Sequence, residues 1–178
     1  MNTLLKVKIF NVSIIQETLY VGVFTTLAIY TPYIVHFFGG TNAGQKFLPL
    51  PFFVLLAGIL LGWRAGLTTA IAAPLISYLI SGMPMINILP FIMLQSAVLG
   101  AISGILRRKE NVVISLTAAI ALGWMTIGIA LFIFSKINAL NYVVSGIKNG
   151  LPGIVLELVL IPIIIVVINK YLSREERI

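Results

Sequence analysis

The sequence predicts an all-α integral membrane protein of six transmembrane helices in one domain, residues 1–178, with both termini cytoplasmic. Three observations carry that prediction. The chain is 60% hydrophobic and 10% charged with a mean hydropathy of +1.10, whereas a soluble domain is about 45–50% apolar and about 25% charged. Its apolar residues fall into six runs near the roughly 20 residues that a spanning helix needs. The basic residues gather on the connections of one side.

The first span, 13–35, follows Lys6 and Lys8. Its length and the lack of a small-residue cleavage site make it a span rather than a signal peptide. Gly22 and Thr26 lie one helical turn apart with Ala28 nearby, a small-residue spacing at which another helix approaches closely. The connection His36-Phe-Phe-Gly-Gly-Thr-Asn-Ala-Gly-Gln-Lys46 is polar and glycine-rich. Glycines let such a segment hinge, which suits a lid over a pocket as well as a plain flexible connection. His36, Asn42 and Lys46 are its candidate ligand contacts.

The second and third spans, 47–63 and 65–82, are divided only by the turn around Gly62-Trp-Arg-Ala-Gly66, so a re-entrant pair or two tilted short helices also fit. Pro74 interrupts the third, and helices in lipid tolerate this when neighbours satisfy the freed backbone groups. A compact uncharged turn, 81–87, leads into the fourth span, 86–106, which carries Pro90 and an isolated Gln95. The pairs Gly58 with Gly62 and Gly100 with Gly104 repeat the small-residue spacing, chiefly for packing within the chain. The fifth span, 112–135, holds Trp124 near its centre. The sixth, 149–171, contains Glu157 and Pro162.

With the N-terminus inside, the inner connections and ends hold Lys6, Lys8, Arg64, Arg107, Arg108, Lys109, Lys170, Arg174 and Arg177, and only Lys46, Lys136 and Lys148 lie outside. This is the bias expected of cytoplasmic ends. The net charge of +7 therefore reports topology. No basic stripe with interleaved aromatics suggests nucleic acid. The chain has no cysteine, one histidine and five acidic residues, which excludes thiolate chemistry and disfavours a metal cluster. It also has no Walker phosphate loop and no dinucleotide glycine pattern. Any ATP hydrolysis belongs to another polypeptide.

Glu157 stands out. It sits inside the apolar run 151–168 with no basic residue closer in sequence than Lys148, and a charge at that depth costs a few kcal/mol at least. A proton, a partner side chain or a bound molecule must compensate it. Glu157 lies about eight residues below the outer end of its span, roughly 12 Å at 1.5 Å per residue. Gln95 lies at the same depth in the fourth span, and Trp124 near that level, where an indole can stack on a flat ligand. The structural alternative is that Gln95 bonds Glu157 as interhelical glue while Trp124 faces lipid. Lys148 and Asn149 stand at the mouth of the last span. A ligand with a carboxylate toward the mouth and a donor or cation toward Glu157 would match both poles, although lysines there also serve as snorkelling anchors.

The stretch Phe47-Leu-Pro-Leu-Pro-Phe-Phe-Val-Leu-Leu-Ala-Gly58, then Leu-Leu-Gly62-Trp-Arg-Ala-Gly66, Pro74-Leu-Ile-Ser77 and Ser81-Gly82-Met83-Pro84, resembles the substrate-binding S components of energy-coupling factor (ECF) transporters. Asn149-Gly-Leu-Pro-Gly153 and Ile161-Pro162 resemble the last helix of that family. The resemblance implies a vitamin- or micronutrient-binding subunit in a prokaryotic plasma membrane. It implies a lid between the first two spans, and partners in the form of a transmembrane coupling subunit and two ATPases. Gly22 and Thr26 occupy the docking position where the family more often has two alanines. The chain also departs from the family at Leu50-Pro51, where a Met-His pair often follows the Leu-Pro, and at Gln95, where many members have an acid. It would have no catalytic residue, cofactor or metal of its own. The competing readings are a stand-alone secondary transporter using Glu157 as a proton site, an intramembrane enzyme, and an assembly subunit that binds nothing small.

Overall fold

The computed structural model describes residues 13–40, 46–47, 49–107 and 109–175, with the side chains at 36 and 171–175 left out of that description. Among the described residues the regular elements are six helices: α1 (Ile14–Gly39), α2 (Pro49–Leu61), α3 (Trp63–Ser81), α4 (Leu89–Leu106), α5 (Val112–Phe134) and α6 (Ala139–Glu175).

Local sequence sets their ends. Ser13 and Gln16 form a reciprocal capping box before α1, each side chain accepting from the other's backbone N–H. Pro49 and Pro51 fall in the first turn of α2, where no intrahelical donor is lost. Gly82 closes α3 at φ 72°, a left-handed conformation that favours glycine. Asn111 caps α5 through a 2.8 Å bond from the Ile114 N–H, and Asn138 caps α6 through a 3.0 Å bond from the Asn141 N–H.

Four helices are long and apolar enough to cross a membrane: α1, α4, α5 and the Ala139–Lys170 part of α6. They mark the chain as a membrane protein. The outer surface supports this, since Phe37, Phe132 and Phe134 are at least 78% exposed, a display that water does not favour. Helix α2 has 13 residues, about 20 Å against a hydrocarbon core of about 30 Å. It ends early because Gly62 turns the chain at φ 113°. Helix α6 departs from expectation in the other direction. It starts at Ala139, ten residues before the expected entry at 149, because Asn138 supplies a cap and Leu140, Val143, Val144 and Ile147 continue a helical apolar pattern.

The helices pack most tightly where the C-terminal half of α2, the start of α3 and the C-terminal half of α4 meet. A Cβ at Gly100 would lie 2.3 Å from the Gly66 carbonyl oxygen, and one at Gly104 would lie 2.2 Å from the Trp63 nitrogen. Backbones touch there, so the small-residue pairs on α2 and α4 serve packing within the chain. Arg107, read from the sequence as an inner-loop charge, is instead 4% exposed. Its Nη1 donates to the carbonyls of Ile59, at 3.0 Å, and Leu60. These are orphan acceptors at the end of α2, so the guanidinium caps that helix. The main apolar cluster, including Leu55, Ile59, Leu99, Leu116, Ile161 and Ile165, fills the adjoining interior.

Candidate functional site

A cavity of about 540 Å³ opens at the other end of the bundle. All six helices and the turn between α3 and α4 line it. Helix α4 contributes Ile92, Gln95, Ser96 and Leu99, spaced as one helical face. Helix α6 contributes Tyr142, Ser145, Gly146 and Asn149 with the same spacing, then Ile154 and Glu157 deeper along the helix. Ile120 and Trp124 come from α5, one turn apart. Pro32, the Pro49 to Pro51 turn of α2, Ser77, Met83 and Pro84 complete the wall.

Glu157 is 2% exposed, and its Oε1 is buried without a hydrogen-bond partner. The bond to Gln95 that would make the pair interhelical glue is therefore not made at that oxygen. A buried carboxylate oxygen with no donor is costly, and water, protein or ligand normally satisfies such a group. Glu157 also lines the cavity, so a rotation of its buried carboxyl would bring that oxygen to a donor there. The hydroxyls of Thr25 and Thr69 are buried without partners too, but neither lines this cavity.

Two glycines of α6 shape the space above Glu157. A Cβ at Gly146 would lie 2.5 Å from Cη2 of Trp124, so the indole rests on the bare backbone of α6. The lipid-facing alternative for Trp124 is thereby excluded; it is half-buried and lines the cavity. A Cβ at Gly153 would meet the backbone of Phe47 at 2.7 Å and the Lys46 carbonyl oxygen at 2.8 Å. The chain entering α2 is thus pressed onto α6 one turn before Glu157. Gln95 is held from the third side, its Cγ 3.6 Å from where a Cβ on Gly123 would stand.

Of the residues expected from the sequence, the structure brings Glu157, Gln95, Asn149 and Trp124 to one cavity. Lys148 and Lys46 are exposed and do not line it, so the basic pole expected at the mouth is not part of the cavity wall. Asn42 and the side chain of His36 lie outside the described residues. Gly22 and Thr26 are exposed on α1, and a Cβ at Gly22 would meet nothing within 4 Å, so among the described residues nothing packs against Gly22. Sequence reasoning missed Tyr142, Ser145 and Gly146, which belong to the unexpected first turns of α6; the Asn138 cap was the available signal. It also missed Ser96, which carries no pattern to set it apart, and it noted Ser77 only within the Pro74-Leu-Ile-Ser77 segment and not as a site residue.

The cavity combines apolar walls with a few converging polar groups, the usual composition of a small-molecule site. Compared with family models, curated proteins and solved structures, the chain has no match.

Proposed function

We propose that the chain is the substrate-binding subunit of an ECF-type importer, capturing a small water-soluble vitamin or related micronutrient at the outer face of a prokaryotic plasma membrane. In this reading the chain crosses the membrane six times with both ends cytoplasmic, and the cavity opens outward. The observations that carry it are the buried Oε1 of Glu157, which has no hydrogen-bond partner, and the place of that residue in the wall of a 540 Å³ cavity. A protein does not retain such a group for stability, whereas a solute donor would satisfy it. The resemblance of the 47–84 segment and of the last helix to S components supplies the transporter class.

The mechanism is a population shift. Ligand bridging α4, α5 and α6 favours an occluded arrangement in which the 36–46 connection closes over it, since a ligand shifts an equilibrium only through its differential affinity for the two states. The tether of that connection at Lys46 and Phe47 is already seated on Gly153 beside the site. The open face of α1 around Gly22 and Thr26 is where a transmembrane coupling subunit docks, and two ATPase subunits supply the energy. The chain contributes recognition and no catalysis.

A second reading is favoured by the same carboxylate. An intramembrane acid facing a cavity also suits the proton site of a stand-alone secondary transporter. Uptake of a panel of labelled vitamins, in cells with and without a coupling module and its ATPases, separates the two. Uptake of one compound only when the module is present supports the S component. Uptake that persists without any ATPase supports the secondary carrier.

A further inference from the structure

We propose that the solute bound in this cavity is a flat nitrogen heterocycle carrying a cation-forming N–C–N edge, which turns that edge toward Glu157. The inference rests on the reading of the cavity as a solute site and names the chemistry that site selects.

Charge decides the polarity of the ligand. Among the described residues lining the cavity there is no Lys, Arg or His, and Glu157 is the one carboxylate. The nearest lysines by sequence, Lys46 and Lys148, stand exposed outside the wall. A ligand anion placed on the floor would therefore face a buried carboxylate with no cation between them, and like charges at short range repel strongly in a low-dielectric site. The expectation of a ligand carboxylate held by lysines at the mouth gives way to a cavity whose described lining holds a carboxyl group and no basic side chain.

Hydrogen bonding decides the shape of the contacting edge. An ionised carboxylate offers acceptors only, on two oxygens in one plane. Its best complement is a pair of parallel N–H donors, the fork that guanidinium presents and that an aminated ring nitrogen reproduces. A single donor would leave part of the carboxylate unsatisfied, and Oε1 already has no protein donor.

The walls decide the body. Trp124 is fixed with its indole against Gly146, and an indole face attracts both flat rings and cations. The amides of Gln95 and Asn149 offer a donor and acceptor each, enough to read one or two ring substituents. The remaining lining is largely aliphatic and proline, which favours a compact aromatic body over a flexible polar chain.

The test uses one ring system in three charge forms, titrated calorimetrically into the purified full chain. The probes are 2-aminobenzimidazole, which presents the donor pair; 2-methylbenzimidazole, which lacks the amino group; and benzimidazole-2-carboxylate. Binding of 2-aminobenzimidazole at least tenfold tighter than either analogue is expected, falling at least tenfold in Glu157→Gln while a thermal scan shows that variant as folded as the parent. Binding of the carboxylate or methyl analogue as tightly as the amine, or an unchanged affinity in Glu157→Gln, overturns the proposed chemistry and leaves the cavity a solute site. Absence of binding by all three overturns the inference together with the solute-site reading.

Discussion

Among the described residues, each end of the bundle buries one charged side chain, and the two have different surroundings. At the closed end, Arg107 reaches the terminal carbonyls of α2 and sits where glycine backbones of α2, α3 and α4 are in contact. At the open end, Glu157 is equally buried but keeps an oxygen without a donor, and glycines seat an indole and an incoming chain around a hollow. The same economy of side-chain volume produces a solid joint in one place and a chamber in the other. A buried charge whose hydrogen bonds cap a helix end belongs to the fold, and one that lines a cavity with no donor at Oε1 is available to something else.

The sharpest way to break this comparison is to neutralise both charges with the same amide. Arg107→Gln leaves buried carbonyls of α2 without their donor, and a loss of about 1–3 kcal/mol in stability is expected. Glu157→Gln removes an uncompensated buried carboxylate, so the thermal midpoint of the ligand-free protein should stay level or rise. Solute affinity should fall about tenfold or more, as for loss of a charge-assisted contact worth about 1.5–3 kcal/mol. Thermal unfolding in detergent, with and without solute, reads both. Equal destabilisation by the two changes would mean that Glu157 is a structural group like Arg107.

A smaller effect tests how the chamber is shaped. Gly146→Ala places a methyl 2.5 Å from the Trp124 ring and forces the indole to tilt. Solute affinity should drop about fivefold, roughly 1 kcal/mol, the scale of an aromatic contact. The shift should appear in Trp124 fluorescence in a Trp63→Phe background. The smallest effect belongs to the mouth: Lys46→Ala and Lys148→Ala should change affinity by less than about twofold in an equilibrium titration, since exposed charges outside the cavity wall are screened.

The contrast also explains what the sequence made legible. Composition and run length disclose the helical class because they are set by the solvent, and Glu157 is visible because a lone acid in an apolar run has no inexpensive placement. Gln95, Asn149 and Trp124 could be ranked by depth along a helix, which needs only a constant rise per residue. Lys148 at the mouth of the last span and Lys46 at the end of the 36–46 connection do not line the cavity, because position along the chain says nothing of which way a side chain faces. The first turns of α6 were read as a connection, so Tyr142 and Ser145 were lost with them. Arg107 looked like a topology signal because its partners, two backbone carbonyls of α2, leave no mark in side-chain identity.

The absence of cysteine from the chain allows the central claim, that Glu157 faces a water-accessible chamber and not the packed interior, to be tested at single residues. Glu157→Cys and, as the packed reference one turn further along α6, Ile161→Cys would each be treated in membranes with a small water-soluble thiol reagent. Ile161 is fully buried in the apolar cluster. Rapid modification at 157 with none at 161, slowed by a bound solute, is the predicted result. A cysteine at 157 as inert as one at 161, or reactive only toward a lipid-soluble reagent, would contradict it.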